Sequence, residues 1–392
     1  MKYRRTLYVT DYCLSPYERI PQSGILCQGN KIIAVGGSSA FQNEDDLEII
    51  ELKDCYVVPG FVDTHIHGAG GFDSSSAHEN PEGFREMCRV LAAHGVTSFI
   101  PSTVSAPVPD MLKALNALAD LIEMPHEGAE ASGIHLEGPF LNRKKHGSQA
   151  EEDILDVDLG IARELIEEAR GKLKIMTFAP ELDGAVQLVE LLMENNIVPS
   201  MGHSLATEVD VLRAVDAGAT RVTHLFNGML PLHQRQSSLT TVALTDDRIA
   251  IELILDGSHL HPKMIDLACR IKPKDKLIGV SDSIQGAGLK DGIYHLGGAQ
   301  IQVVDGKSMT VDGTLAGTTL TLEKGWHHLV TYSHMSINDA AACFSLNPAR
   351  NLKMYDRGEL KPKRRADMVF FDKLTNRVRM TVVNGKIVYQ SE

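Results

Sequence analysis

Hydrophobic and polar positions divide the chain into stretches of two rhythms. Toward the N-terminus, short β-branched and aromatic runs at 5–10, 24–27 and 31–35 alternate with turn signals, and Gly29-Asn30 sits between the last two like a tight hairpin loop. The C-terminal stretch repeats this rhythm: 367–371, 377–383 and 386–389 read as strands, with Asn384-Gly385 as a strong type I′ hairpin signal. Between the two ends, short apolar runs at 56–64, 96–101, 133–136, 173–178, 197–201, 221–223, 249–255 and 276–281 alternate with segments whose apolar residues recur every three to four positions. That alternation is the pattern of repeated βα units around a parallel sheet. The expected fold is therefore α/β: a (β/α)8 TIM barrel over 55–354, with a small β-sandwich domain built from both termini, 1–54 and 355–392. The polar, glycine-rich stretch 285–317 reads as loop, and 320–332 and 337–344 read as helices.

Length agrees with this division, because a barrel of about 250 residues leaves room for one smaller module in 392. With 43% hydrophobic and 23% charged residues, the chain has the composition of an ordinary globular protein. Its 39 Lys+Arg against 51 Asp+Glu give a net charge of -12, which lacks the basic field of a nonspecific nucleic-acid binder. An anionic small substrate needs only one or two local cations. No apolar run approaches the roughly 18 residues of a membrane span, and the start lacks the h-region of a secretory signal, so a cytoplasmic protein is expected. The six cysteines are scattered singly without a CxxC pair, as for reduced thiols rather than a disulfide frame or thiolate zinc site. One Trp and 5% aromatics argue against a polysaccharide cleft and for a small ligand.

Barrel enzymes place their chemistry where strands end, and here the strand ends are rich in metal-ligand types. His65 and His67 follow the first run, His135 and Glu137 the third, His203 the fifth, His224 the sixth and Asp282 the eighth. His65 and His67 stand two apart on a strand and so point to the same side. Imidazole with carboxylate suits zinc, iron and similar divalent ions.

The segments VPGFVDTHIHG, GIHLEGPFLN, MGHS, THLFNGM, DGSHLHP, SDS and LAGTTLTL closely resemble the amidohydrolase superfamily, and within it the N-acetylglucosamine-6-phosphate deacetylases. NPAR at 347–350 and RGELKPKRRADMVFFD extend the resemblance over nearly the whole chain. It implies metal-dependent hydrolysis of the N-acetyl group of N-acetyl-D-glucosamine 6-phosphate to D-glucosamine 6-phosphate and acetate, in amino-sugar catabolism. The galacto epimer as substrate is an alternative. A cyclic amidase of the same superfamily is another, although such enzymes commonly carry a carboxylated lysine where this chain has Glu137. A metal-free barrel scaffold is disfavoured by the intact ligand positions.

The resemblance assigns Glu137, His203 and His224 as ligands of the main metal, His65 and His67 as ligands of a second, and Asp282 as the catalytic acid/base. One or two divalent ions per subunit, zinc or iron, are implied. Many members carry a histidine that meets the substrate carbonyl, and here Gln149 stands at that position; Gln149, nearby His146 or the second metal could polarise the carbonyl, and retention of the His65/His67 pair favours the metal. Phosphate recognition falls to Asn227, Gly228, His259 and Arg235, the last supplied across a homodimer interface in the family. His261, His327, His328, His334 and the Lys363-Arg364-Arg365 run read as structural or solvated.

Overall fold

The computed structural model describes residues 5–391 apart from 16, 43–45 and 126. The first four residues, part of the start on which the cytoplasmic expectation drew, lie outside the described residues. Eight parallel strands form the barrel wall in sequence order: Phe61–Ile66, Val96–Thr103, Ile134–Glu137, Leu173–Phe178, Val198–Met201, Arg221–Val222, Ala250–Ile254 and Leu277–Val280, hereafter barrel strands 1 to 8. All are buried along almost their whole length, as strands of a parallel sheet covered on both faces must be. The seam between barrel strands 8 and 1 is joined by Asp282 N–H donating to His65 O (2.9 Å) and Ser281 N–H donating to the Asp63 carboxylate (3.3 Å). A helix follows each strand, from Gly83–Ala93 after the first to Leu322–Tyr332 after the eighth.

The fold class read from the sequence is the one the structure has, with two local differences. The stretch 285–317 is not plain loop: Gly292–Leu296, Ala299–Val304 and Lys307–Thr310 make a three-stranded antiparallel sheet. Its apolar face buries Leu296, Ile301 and Val303 against Val104 and Ile284, so a hydrophobic pattern was present but diluted by turn glycines. The run 56–64 is two elements: the long strand Leu47–Pro59 belongs to the terminal sheet, and Gly60 hands the chain over to barrel strand 1. A Cβ at Gly60 would lie 2.2 Å from Thr97 Oγ1, so the two sheets meet there only because the residue has no side chain.

The terminal sheet has seven strands, and its centre is Leu47–Pro59, parallel to Arg5–Leu14 on one side and antiparallel to Met368–Asp372 on the other. It is joined to the barrel by an aromatic cluster in which Tyr56, Phe61, Phe371 and the fully buried Trp326 lie with ring centroids 5.0–6.2 Å apart. Arg365 adds a polar tie, paired with Asp367 of the terminal domain and with Glu130 beside barrel strand 2. Among the described residues no helix is long and apolar enough to cross a membrane.

Candidate active site

At the carboxyl ends of the strands, side chains far apart in sequence converge into two buried triads. Glu137 ends barrel strand 3, and His203 and His224 follow strands 5 and 6; their ligand atoms form one group. His65 lies within strand 1, His67 just past it and Asp282 just past strand 8, forming the other. The groups touch: His65 Nε2 is 3.4 Å from Glu137 Oε1 and His67 Nε2 is 3.6 Å from Glu137 Oε2.

These donors fit divalent metal. His224 Nε2 lies 3.0 Å from both His203 Nε2 and Glu137 Oε1, and His65 Nε2 lies 3.2 Å from His67 Nε2. Ligands about 2.0–2.2 Å from a tetrahedral ion stand roughly 3.3–3.6 Å apart, close to this spacing. Three of the imidazoles spend Nδ1–H outward: His65 on Glu252 (2.9 Å), His67 on Ser102 O (3.1 Å) and His203 on Lys145 O (2.7 Å). Their Nε2 lone pairs then face the centre, the arrangement that outer hydrogen bonds impose on metal-binding histidines. Paired lone pairs at this distance repel unless a cation lies between them.

Electrostatics point the same way. Burial lowers the His65 imidazole, but Asp282, Glu252 and Glu137 outweigh it and lift its pKa to about 9. Burial raises the Glu137 and Asp282 carboxyls, yet the surrounding histidines hold both below their ordinary values, Glu137 well below. The centre is thus a pocket of negative charge that favours cations. His135, by contrast, joins neither triad. Burial and neighbouring His65 push its pKa well down, and its ring nitrogens meet Ser102 Oγ (3.0 Å) and Thr177 Oγ1 (2.8 Å).

A cavity of about 350 Å³ opens over the triads, with His67, Glu137, His203, His224 and Asp282 on its floor. Gln149, Asn227, Gly228 and His259 line it, and Leu296 and Leu315 from the inserted hairpin region form part of its wall. Gln149 is engaged at both ends of its amide: Nε2–H donates to Glu137 Oε2 (2.9 Å) and Oε1 accepts from Ser105 N–H (2.9 Å). His146 is off the cavity wall, its Nδ1–H donating to Gln149 O (2.6 Å). Asp256 accepts from His259 Nδ1 (2.8 Å) and thereby aims that ring. Gly228 sits at φ +62°, where a Cβ would come within 3.1 Å of His203 Nδ1. Arg235 is exposed on the loop after barrel strand 6 and does not line the cavity of its own chain. Of the histidines read as structural or solvated, His261 caps the helix Pro262–Ile271, and His327 and His328 hydrogen-bond to the backbone oxygens of Asn376 and Leu255. Sequence reasoning missed Glu252 and Arg221, both wholly buried, although a glutamate inside the apolar run 249–255 was a visible signal.

A closed parallel barrel with two adjoining His/carboxylate triads at the catalytic ends of its strands is the framework of a metal-dependent hydrolase. The amidohydrolase family matches residues 56–388, and the chain belongs to that family. It is 36% identical to an N-acetylglucosamine-6-phosphate deacetylase of Bacillus subtilis (strain 168) over 88% of this chain and 87% of that one. An N-acetylgalactosamine-6-phosphate deacetylase of Escherichia coli O157:H7 is 34% identical over 80% of this chain and 83% of that one. Among solved structures, a mutant N-acetyl-D-glucosamine-6-phosphate deacetylase from Mycobacterium smegmatis, in complex with N-acetyl-D-glucosamine-6-phosphate, superposes with TM-score 0.92 at 29% identity, covering 98% of this chain and 100% of that one. The Thermotoga maritima N-acetylglucosamine-6-phosphate deacetylase does so with TM-score 0.87 at 34% identity and the same coverage.

Proposed function

We propose that the chain hydrolyses the N-acetyl group of N-acetyl-D-glucosamine 6-phosphate, releasing acetate and D-glucosamine 6-phosphate for amino-sugar catabolism. The observation that carries this reading is the Asp282 carboxylate on the cavity floor, 3.2 Å from His67 Nε2, in one triad and facing the cavity it shares with the other. A divalent ion bound there, zinc or iron by the chemistry of the donors, would supply a water of pKa about 7 in place of about 15.7 and an electrophile for the acetyl carbonyl. Glu137, His203 and His224 would hold one ion, and His65, His67 and Asp282 a second. Asp282, kept ionised by its histidine neighbours, accepts the water's proton and returns it to the amine nitrogen as the C–N bond breaks. Gln149 spends one of its two amide N–H groups on Glu137 and His146 turns its Nδ1–H to Gln149 O, and the presence of the His65/His67 pair supports carbonyl polarisation at the second metal position.

The phosphate lies against Asn227, Gly228 and His259. Among the described residues lining the cavity there is no lysine or arginine, which supports the delivery of Arg235 from a neighbouring chain in a homodimer. Catalysis is assigned to the barrel expected over 55–354, with its first boundary moved to Gly60 because the strand Leu47–Pro59 belongs whole to the supporting terminal β domain. The six cysteines are free, and burial pushes the thiols of Cys13, Cys27 and Cys88 up to about 12, which suits the reducing cytoplasm.

The galacto reading has one specific support, the likeness to the Escherichia coli enzyme. Assaying both 6-phosphorylated N-acetylhexosamines with enzyme of measured metal content separates the two. A higher kcat/KM for the gluco epimer is expected; a clear preference for the galacto epimer would reassign the substrate, and no turnover of either would end the deacetylase reading.

A further inference from the structure

Barrel strand 7 carries one ionisable residue in an otherwise apolar stretch, and it is wholly buried. An isolated carboxylate there would be expensive, so its partners define its purpose. Glu252 Oε1 takes two donors from the guanidinium of Arg221 on the neighbouring strand, Nε at 2.7 Å and the terminal nitrogen at 2.6 Å. Arg221 is itself fixed by Thr64 Oγ1 and Asn351 Oδ1. Glu252 Oε2 accepts two further donors: His65 Nδ1–H at 2.9 Å and the backbone N–H of His224 at 3.0 Å. One of these belongs to each triad. His224 has φ +28°, a conformation that needs outside support, and Glu252 supplies an acceptor at that turn.

We propose that Glu252 is a positioning residue for both halves of the metal centre, fixing the tautomer of His65 and the backbone turn that aims His224, with Arg221 as its anchor. A carboxylate only accepts, so the proton of His65 must sit on Nδ1 and the Nε2 lone pair is left for metal. A glutamine cannot do this while satisfying Arg221. With its amide oxygen toward the guanidinium, its NH2 faces His65 Nδ1, reverses the tautomer and places a proton on Nε2. With the amide turned round, Arg221 is left facing two N–H donors.

The inference rests on the metal reading above but not on the ion count. Zinc binding is measured by chelator competition on wild type and Glu252→Gln, together with thermal unfolding of the metal-free and zinc-loaded forms. If wild type holds two ions, the more weakly held is expected to lose affinity by about 10- to 100-fold in the variant. If wild type holds one, the binuclear reading fails, and that single ion is expected to lose affinity over the same range, because Glu252 also supports His224. The gain in Tm on adding zinc shrinks accordingly, whereas a merely structural role would lower both forms equally. Should Glu252→Gln not yield folded protein, the double variant Arg221→Met/Glu252→Leu removes the buried pair together and carries the same expectation. Zinc affinity within about twofold of wild type in either folded variant overturns the proposal.

Discussion

His203, His224 and Asp282 hold φ values of +46°, +28° and +48°, a region that non-glycine residues rarely occupy. Each such residue costs on the order of 1–3 kcal/mol, and here three lie at strand ends facing one cavity, so the chain sustains strain to aim its polar groups. Asp282 contributes charge as well as direction. Asp282→Asn keeps shape and removes the proton acceptor; turnover is expected to fall about 10²- to 10⁴-fold while the ion at Glu137, His203 and His224 is retained, as read by steady-state kinetics and metal analysis of one preparation. Near-normal kcat would remove Asp282 from the proton transfer. For the other triad, the double variant His65→Gln/His67→Asn should lower metal content from nearly two ions per chain toward one. Unchanged stoichiometry in a folded double variant would contradict the binuclear reading, and full activity despite loss of one ion would return carbonyl polarisation to Gln149 or His146.

Asp63, one residue before Thr64 on barrel strand 1, joins the barrel's last strand to its first, and burial raises its carboxyl to about 7 against an ordinary value near 3.8. Between those values the folded chain binds the proton that the unfolded chain releases. This contribution to stability is complete below pH 3.8 and is lost as pH rises to about 7, on the order of 4 kcal/mol in all. With metal removed, Asp63→Asn should therefore gain stability relative to wild type between pH 4 and pH 7 in parallel denaturant titrations. A pH-independent difference between the two would refute the assignment. The barrel strands were legible because burial on both faces enriches them in apolar residues even where a residue such as Lys174 interrupts the run; 173–178 matches Leu173–Phe178 residue for residue. The helix Leu239–Thr245 was poorly marked, being only 7 residues long with little polar rhythm in TTVALT. The site was legible wherever a motif ended a strand. Glu252 was hidden because its importance lies in partners 31 and 187 residues away, a relation that no local pattern records.

For the whole molecule, the exposed Arg235 and the cation-poor cavity make opposite predictions for the lone chain and the pair. Hydrogen bonds to charged groups are worth about 1.5–3 kcal/mol, so Arg235→Ala should lower kcat/KM for the phosphorylated sugar about 10- to 100-fold and leave the unphosphorylated sugar nearly unaffected. If the arginine crosses an interface, subunits of Arg235→Ala mixed with subunits of Asp282→Asn form dimers with one pocket doubly defective and one intact, and activity should return. No return despite demonstrated subunit exchange would confine Arg235 to its own chain. The central claim joins fold, metal and substrate, and one measurement meets it directly: the release of acetate from N-acetyl-D-glucosamine 6-phosphate by metal-replete protein, by the same protein after chelation, and after zinc or iron is restored. The account predicts one acetate and one D-glucosamine 6-phosphate per substrate consumed, loss of turnover with the metal and recovery on its return. Undiminished acetate release from protein shown to be free of metal, or none from protein shown to hold it, would contradict the account.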